Sequence, residues 1–220
     1  MIAPDRIVRS RRKTLALSFD ALGRLTVKAP LRCSEERISA FVREKQGWLE
    51  KHKSRFSGVL EKLPKEDLDG FSFLLLGKLC TVRLYGGKRV TFDEGAQCVF
   101  VPQERPKERL TKWLKEYAKE VFALLTENCA KRMGVSARSV GVSSAKGRWG
   151  SCSANGGIRY TFRLVYAPVE VIEYVVVHEL WHLKVRNHSK AFWREVEKAL
   201  PDYQKKRAWL KAHAYLTEIF

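Results

Sequence analysis

Two histidines and a glutamate lie close together in the stretch VVVHELWHL, which runs from Val175 to Leu183. His178 and His182 are four residues apart, and Glu179 directly follows the first of them. Four residues advance an α-helix by about 400°, so both imidazoles would lie on one face, within about 40° of each other. This is the spacing with which a helix of the HExxH type binds zinc. The stretch therefore predicts a metal site that holds Zn²⁺, one ion per chain.

Glu179 is the candidate general base of this site. It lies about 100° round the helix from His178, so it can stand beside a metal ion without binding it. Zinc lowers the pKa of a water molecule towards about 7, and a nearby carboxylate can then accept a proton from that water and pass it to the leaving group. The preceding residues, VIEYVVV, are apolar on nearly every side of a helix, which indicates burial. Buried histidines need a polar partner, and a metal ion supplies one.

His188 is the candidate third ligand. It follows His182 by six residues, and in a continuous helix it would point away from the other two imidazoles. We therefore expect the helix to end between Leu183 and Asn187, with Asn187 or Ser189 capping the helix that follows. The alternative third ligand is one of two carboxylates further along: Glu195 or Glu197.

The first hundred residues are predicted to be mostly β-structure with one helix. Residues 14–30 alternate in polarity and predict a hairpin that turns near Asp20–Gly23. Residues 34–53 have the spacing of an amphipathic helix, and the turn signals in residues 71–102 favour several short antiparallel strands. The period of the apolar residues changes near Pro106, so we expect an N-terminal domain over residues 1–105.

Residues 106–220 are predicted to form the catalytic domain. A long amphipathic helix begins at Pro106 and ends at Gly134, and residues 136–168 favour a strand, a glycine-rich connection and a second strand. The helix with the histidines follows Pro168, and further helices are expected from Ser189 and from Pro201. The fold class is therefore α+β.

The composition restricts the possible partners and location. The net charge of +18, from 42 basic and 24 acidic residues, is spread along the chain. Such a surface favours binding of polyanions such as nucleic acid or nucleotides. The alternative is a solvated basic surface that has no specific anionic partner. The five cysteines form no CxxC pair, which fits a reducing compartment. No apolar run reaches the length of a membrane span, and the first residues lack the apolar segment of a signal peptide. We expect a cytoplasmic protein without a membrane partner.

Four segments together resemble the YgjP-like metallopeptidase family, which is related to the SprT-like and WLM metallopeptidases among the compact zincins. They are RWGSCS, RLVYAPVEVIEYVVVHELWHL, NHSKAFW and LPDYQKKRAWLKAH, and the segment from RSRRKTLALSF onward is also similar. The resemblance implies a minimal zincin core, His178, His182 and His188 as ligands, and Glu179 as general base. One position departs from the family pattern: Thr161–Phe162 stands where an Asn–Trp pair is common.

The strand before the active-site helix is the candidate substrate strand. In related zincins this strand is a sheet edge that aligns an extended peptide, so the resemblance implies an edge at residues 157–162, and an interior strand is the alternative. Arg148 could bind a substrate carboxylate or phosphate, or be a surface arginine. Tyr160 and Tyr166 could donate to an oxyanion, although a core position is the simpler expectation. The candidate substrate contacts are Arg148, Gly157, Ile158 and Tyr160.

Three functions fit these residues. The first is a zinc-dependent peptidase that hydrolyses peptide bonds with activated water. The second is a metal-dependent hydrolase of nucleotide phosphoanhydrides at the same site, which the basic charge favours. The third is a non-catalytic nucleic-acid-binding protein with structural zinc, which Glu179 disfavours because a structural site needs no carboxylate beside an open position.

Overall fold

The computed structural model describes residues 2–56, 58–64 and 66–220. Runs of strands are followed by helices along the chain, as expected for the α+β class. The described residues up to Leu63 form one compact unit, and Pro64–Phe220 form a second. All candidate metal and catalytic residues belong to the second unit.

The first unit contains a small mixed sheet. Strand β2 pairs antiparallel with β3 through the predicted turn, in which the Asp20 carboxylate accepts hydrogen bonds from the backbone N–H groups of Leu22 and Arg24. Gly23 adopts a φ of +76°, which glycine tolerates best. Strand β1 pairs in parallel with the other side of β3. The strands are β1 (Arg6–Ser10), β2 (Ala16–Phe19) and β3 (Leu25–Pro30).

Two helices cover this sheet where the sequence predicted one. Ser34 caps helix α1 (Glu35–Glu44), and helix α2 (Gln46–Lys53) follows after a break at Lys45. At the break the Gln46 amide donates to the carbonyls of Ile2 and Val42, which interrupts the regular helical pattern. The alternating residues of β3 meet the helices in a common apolar core: Leu25, Val27, Ala29, Ile38, Val42 and Leu49.

The second unit begins with a sheet in the order β4-β5-β7-β6. The outer pairs, β4 with β5 and β6 with β7, are antiparallel as predicted. The central strands β5 and β7 are parallel. The chain reverses direction on entering β6 and again on leaving it, and β6 lies at the edge of the sheet, so β7 runs in the same direction as β5 beside it. The strands are β4 (Ser72–Leu75), β5 (Lys78–Tyr85), β6 (Thr91–Asp93) and β7 (Cys98–Pro102).

The turn between β4 and β5 packs against the segment that precedes the histidine helix. The backbone N–H of Leu76 donates to the carbonyl of Val165 at 2.8 Å, and a Cβ at Gly77 would lie 2.8 Å from the Cα of Pro168. These contacts join the β4–β7 sheet to the helices that follow it, and both belong to the compact unit that begins at Pro64. The division into compact units therefore falls earlier in the chain than the change of period near Pro106. The domain boundary at 105/106 stays a prediction.

Helix α3 (Pro106–Met133) has the predicted bounds. Pro106 occupies its first turn, and Gly134 ends it in the left-handed region with a φ of +59°. Its buried residues recur every four positions, which gives the helix one apolar face against the rest of the unit. They include Leu110, Leu114, Ala118 and Phe122.

The remaining elements surround the histidines. A sheet in the order β8-β10-β9 leads into a buried 3₁₀ helix at Phe162–Tyr166 and then into α4. The strands are β8 (Ser139–Ser143), β9 (Gly150–Cys152) and β10 (Gly157–Thr161). The helices are α4 (Val169–Trp181), α5 (Lys190–Ala199) and α6 (Tyr203–Ala212).

Candidate metal and catalytic site

Helix α4 is buried along most of its length, as its apolar sequence predicted. Ile172, Val176 and Leu180 are fully buried, and Val175 is nearly so. The last turn of this helix carries His178 and Glu179, and His182 is the C-cap residue. The core therefore fixes the backbone from which these side chains project.

The chain reverses directly after α4. Helix α4 ends at Trp181, slightly before the predicted end between Leu183 and Asn187. The N–H groups of Leu183 and Lys184 then donate to the carbonyls of Leu180 and Trp181 and close a tight turn. Helix α5 then begins after Ser189, whose Oγ accepts a hydrogen bond from the Phe192 N–H at 3.4 Å. The expectation of a helix break with Ser189 as a cap is confirmed.

This reversal brings three imidazoles together. Nε2 of His188 lies 2.9 Å from Nε2 of His178, and one ring nitrogen of each of the three histidines lies within 4.8 Å of the others. Ring centroids are 4.9 Å apart for His178 and His182, and 4.7 Å for His182 and His188. Two nitrogens bound to one tetrahedral zinc ion lie about 3.4 Å apart, given Zn–N distances of about 2.0–2.1 Å. The spacing of the rings therefore fits a shared metal ion.

The ring nitrogens on the far side also fit a metal site. Nδ1 of His182 lies 3.0 Å from the carbonyl of Val185, which it can reach only as a donor, so Nε2 is left as the ligand atom. Nδ1 of His178 is buried and has no hydrogen-bond partner among the described residues. Three imidazoles that converge on one point form a donor set suited to zinc, copper, iron or nickel.

Phe192 forms the floor under the three rings. This fully buried side chain lies with its ring centroid 4.9 Å from that of His178, 4.6 Å from that of His182 and 5.0 Å from that of His188. Trp193 stacks on His188 at 5.7 Å. The first turn of α5 therefore holds His188 against the end of α4.

Burial favours the neutral form of two of the imidazoles, those of His178 and His188. Burial lowers the pKa of His178 to about 3, and nearby positive charges, including that of Arg207, act in the same direction. Burial also lowers the pKa of His188, and the charges of His182 and Arg207 add to the effect. A neutral imidazole is the form that binds a metal, so these side chains do not have to lose a proton to do so near neutral pH.

Glu179 lies beside the imidazoles in a buried position. It is 6% exposed, and burial raises the pKa of its carboxyl group to about 7, while the charge of Arg148 opposes the rise. It lies on the side of α4 that faces β9 and packs against Gly150. A carboxyl group with a pKa near neutrality can accept and return a proton at little cost in free energy.

Two openings meet at this carboxylate. A cleft of about 730 Å³ lies between α4 and α6 and includes His178 and Glu179 in its walls. A smaller opening of about 310 Å³ is lined by all three histidines, Glu179, Arg186 and the residues of β9. The imidazoles and the carboxylate are thus accessible to a substrate.

The chain matches the family model described as YgjP-like, metallopeptidase domain, over residues 13–213. The chain belongs to this YgjP-like family. No curated protein matches it. Family membership makes it a metallohydrolase of the peptidase class, which acts with a metal ion on peptides or proteins. Across the described residues, no helix has both the length and the apolar character needed to cross a membrane.

In this YgjP-like domain the substrate strand predicted at residues 157–162 is not a sheet edge. Strand β10 lies between β8 and β9, so both of its edges are paired and the expectation of an open edge there is wrong. Strands β8 and β9 are the edge strands of this sheet, and β9 is the one that lines the opening beside the histidines. The pairing partner of a strand depends on distant residues, which the local pattern of alternation does not reveal.

The backbone of β9 has free hydrogen-bonding groups. The N–H of Ser153 donates to the carbonyl of Gly157 in β10 at 2.8 Å, so the backbone groups of Ser153 point towards β10. Bonded and non-bonded pairs alternate in an antiparallel ladder, and therefore the N–H and C=O groups of Gly150 and Cys152 point away from β10. This outer edge lies next to Glu179 and the imidazoles.

The structure separates the remaining candidate residues from the site to different degrees. Tyr160 and Ile158 are fully buried, and the Tyr160 hydroxyl lies 3.2 Å from that of Thr126, in the core. Tyr166 is also fully buried. A Cβ at Gly157 would meet Ser139 and Ser153, so close packing explains the glycine. Their assignment as substrate contacts has no support in these positions, whereas exposed Arg148 is close enough for its charge to act on Glu179.

The carboxylates considered as alternative ligands lie outside the cluster. Glu195 pairs with Lys198 at 2.8 Å, and Glu197 is exposed. In the part of the chain that the structure describes, the group placed to hold a metal is His178, His182 and His188. Cys152 borders the smaller opening but is not in this group.

The sequence reasoning missed the residues of α6 that face the cleft. Tyr203, Arg207 and Lys211 line its wall together with Tyr174 of α4. Their spacing of four residues indicates a common helix face and was available in the sequence. That this face meets the metal site depends on how α6 packs against α4, which no spacing reveals.

Proposed function

We propose that this chain is a zinc-dependent peptidase with one zinc ion per chain, held by His178, His182 and His188. The observation that carries the proposal is the convergence of three imidazoles beside a buried carboxylate that itself lies next to a strand edge. The core of a minimal zincin, in this proposal, consists of α3, the sheet β8-β10-β9, and helices α4 and α5.

Each residue has a defined task. The imidazoles of His178, His182 and His188 would hold the ion, each through one ring nitrogen. A bound zinc ion would act as a Lewis acid towards the attacking water and the scissile carbonyl. Glu179 accepts the proton of the water as it attacks, and it then donates that proton to the nitrogen of the leaving amine. Burial of Glu179 supports this task because its pKa of about 7 suits both transfers.

The outer edge of β9 is the proposed docking strand for the substrate. An extended peptide placed along Gly150–Cys152 would pair with the outward N–H and C=O groups of Gly150 and Cys152. Main-chain pairing of this kind binds many sequences, because it makes no use of side chains. The scissile bond would then lie beside Glu179, which packs against Gly150.

Hydrolysis of a nucleotide phosphoanhydride at the same site is the second candidate. The net charge of +18 and the two cationic side chains on the α6 wall favour an anionic substrate. The open edge of β9 favours the peptide, since a nucleotide has no main chain to pair with it. A purely structural zinc site is disfavoured by the accessible cleft and by Glu179 beside it.

Metal analysis and paired assays test the proposal. We expect about one zinc per chain in the wild type and none in the double variant H178A/H182A. The variant E179Q should retain zinc and lose hydrolysis of an unfolded protein by at least about a hundredfold. Release of phosphate from nucleoside triphosphates, measured in parallel and absent in E179Q, would instead support the second candidate. Full zinc content in the double variant would end the assignment of the ligands.

A further inference from the structure

One face of α6 forms a wall of the cleft next to the metal site. Tyr203, Arg207 and Lys211 are four residues apart, so their side chains lie in a row along the helix. All three line the cleft of about 730 Å³ that also contains His178 and Glu179. The row therefore begins at the catalytic site and continues away from it.

The cleft combines aromatic walls with positive charge. Trp149, Tyr174 and Tyr203 contribute rings to its lining, and Arg207 and Lys211 contribute cations. Of the described residues that line the cleft, Glu179 is the one with a carboxylate. A bound metal ion would add further positive charge beside it, so the cleft as a whole favours an anionic group.

Arg207 contacts an aromatic ring beside the site. Its guanidinium carbon lies 5.0 Å from the ring centroid of Trp193, in a cation–π contact. This contact lies over the ring face and leaves the N–H groups at the edge of the guanidinium available for hydrogen bonds.

Neither cation of this wall has an acidic partner. Among the ion pairs formed by residues that the structure describes, none includes Arg207 or Lys211. The neighbouring Lys206 differs, since it is buried and pairs with Asp202. The guanidinium of Arg207 therefore lines the cleft without an ion-pair partner among the described residues, and its N–H groups are available to a ligand.

We infer that the cleft is a subsite for a carboxylate of the peptide substrate, bound by Arg207 with Lys211 as a second cation. A guanidinium presents two parallel N–H groups to a carboxylate, which gives both binding energy and orientation. The inference rests on the proposed peptidase function. The carboxylate can belong to an acidic side chain close to the scissile bond or to the C-terminus of the substrate.

Matched peptides distinguish these sources. One set of fluorescence-quenched peptides carries a single Glu or Gln at each position in turn, with both ends blocked. A second set has no internal acid and ends in a free carboxylate or an amide. We expect the zinc-loaded wild type to cleave one acidic member at least about tenfold better, in kcat/KM, than its neutral counterpart.

Substitutions in α6 then assign the preference to a residue. R207Q should abolish the preference without changing zinc content, and R207K should restore part of it, because charge is kept while the paired N–H groups are lost. K205Q is the control, since Lys205 is exposed on the same helix and does not line the cleft. Cleavage of acidic and neutral peptides at equal rates by the wild type would overturn the subsite and leave the peptidase function intact.

Binding to E179Q separates the subsite from catalysis. The zinc-loaded variant should bind the acidic peptide at least about tenfold more tightly than the neutral one, as measured by fluorescence anisotropy, and R207Q/E179Q should lose the difference. If the wild type cleaves no peptide, this measurement still decides: a difference that depends on Arg207 supports the subsite, and equal affinities overturn it.

Discussion

Gly150 of β9 lies so close to Glu179 of α4 that a side chain at position 150 would collide with the glutamate. A Cβ at position 150 would lie 2.7 Å from both Cγ and Oε1 of the glutamate, well below normal contact distance. The strand is fixed by its pairing with β10, and the helix is fixed by its buried face. The absence of a side chain at Gly150 therefore sets where the carboxylate stands, which makes Gly150 a positioning residue.

Replacing Gly150 by alanine should move the carboxylate. Displacement of a reacting group by about 1 Å can cost about a hundredfold in rate, so we expect kcat of G150A to fall to that degree, with KM and zinc content little changed. The control is G147A, because a Cβ at Gly147 meets no atom within 4 Å. Wild-type kcat in G150A would show that the position of Glu179 does not depend on this contact.

Zinc should stabilise the protein through the three imidazoles. A ligand that binds only the folded state at about a hundred times its Kd adds about 2.7 kcal/mol to the free energy of unfolding. We expect a corresponding rise in Tm when zinc is added to chelator-treated wild type, and no rise in H182A. H213A is the control, since His213 stacks on Trp209 away from the cluster. An equal rise in H182A would contradict the ligand assignment.

Glu179 should make the stability of the metal-free protein depend on pH. Its pKa is raised from 4.5 to about 7, so its contribution to stability is complete below about pH 4.5 and is lost as the pH rises through about 7. E179Q cannot ionise and escapes this loss. The quantity to compare is the free energy of unfolding of E179Q minus that of the wild type. We expect this difference to be about 3 kcal/mol larger at pH 8 than at pH 4.5.

Urea unfolding of chelator-treated protein at the two pH values measures this difference. E197Q is the matched control, because Glu197 is exposed on α5 and its replacement should change stability little at either pH. A difference between E179Q and wild type that is the same at pH 4.5 and pH 8 would show that burial does not perturb the carboxyl group.

Phe192 should matter for metal binding beyond its share in the core. F192L removes part of the ring that supports all three imidazoles, and we expect a loss of about 1 to 2 kcal/mol in stability together with weaker zinc binding. F122L loses the same volume at another fully buried site, on α3, and should leave zinc affinity unchanged. Competition with a chromogenic chelator measures both affinities. Equal zinc affinity in the two variants would exclude a supporting role for the ring.

Much of the local structure could be predicted because it depends on neighbours in the chain. The spacing of apolar residues predicted α3, and the proline and glycine at its ends set its bounds. The predicted hairpin turns where expected, because Asp20 and Gly23 stabilise that turn locally. The break between α1 and α2 was missed. It lies where the side-chain amide of Gln46 donates to the backbone carbonyls of Ile2 and Val42, and a side chain that binds carbonyls in this way competes with the backbone hydrogen bonds of a helix.

Pairing between distant segments could not be predicted in the same way. The resemblance to related zincins implied an open edge at residues 157–162, but β10 is paired on both sides, so the alternative of an interior strand is the one observed. Alternation shows which face of a strand is buried and does not show which strands lie on either side. The parallel pairing of β5 with β7 was missed for the same reason.

The sequence by itself determined the family, the two imidazoles of His178 and His182 on one helix face, and the place of Glu179 to one side of them, since a spacing of one to four residues sets the geometry on any helix. Only the tertiary structure decided that His188 returns to them, that β9 offers the edge, and that Arg207 faces the cleft. Those relationships join residues through the packing of separate elements, and that packing depends on buried contacts across the whole unit.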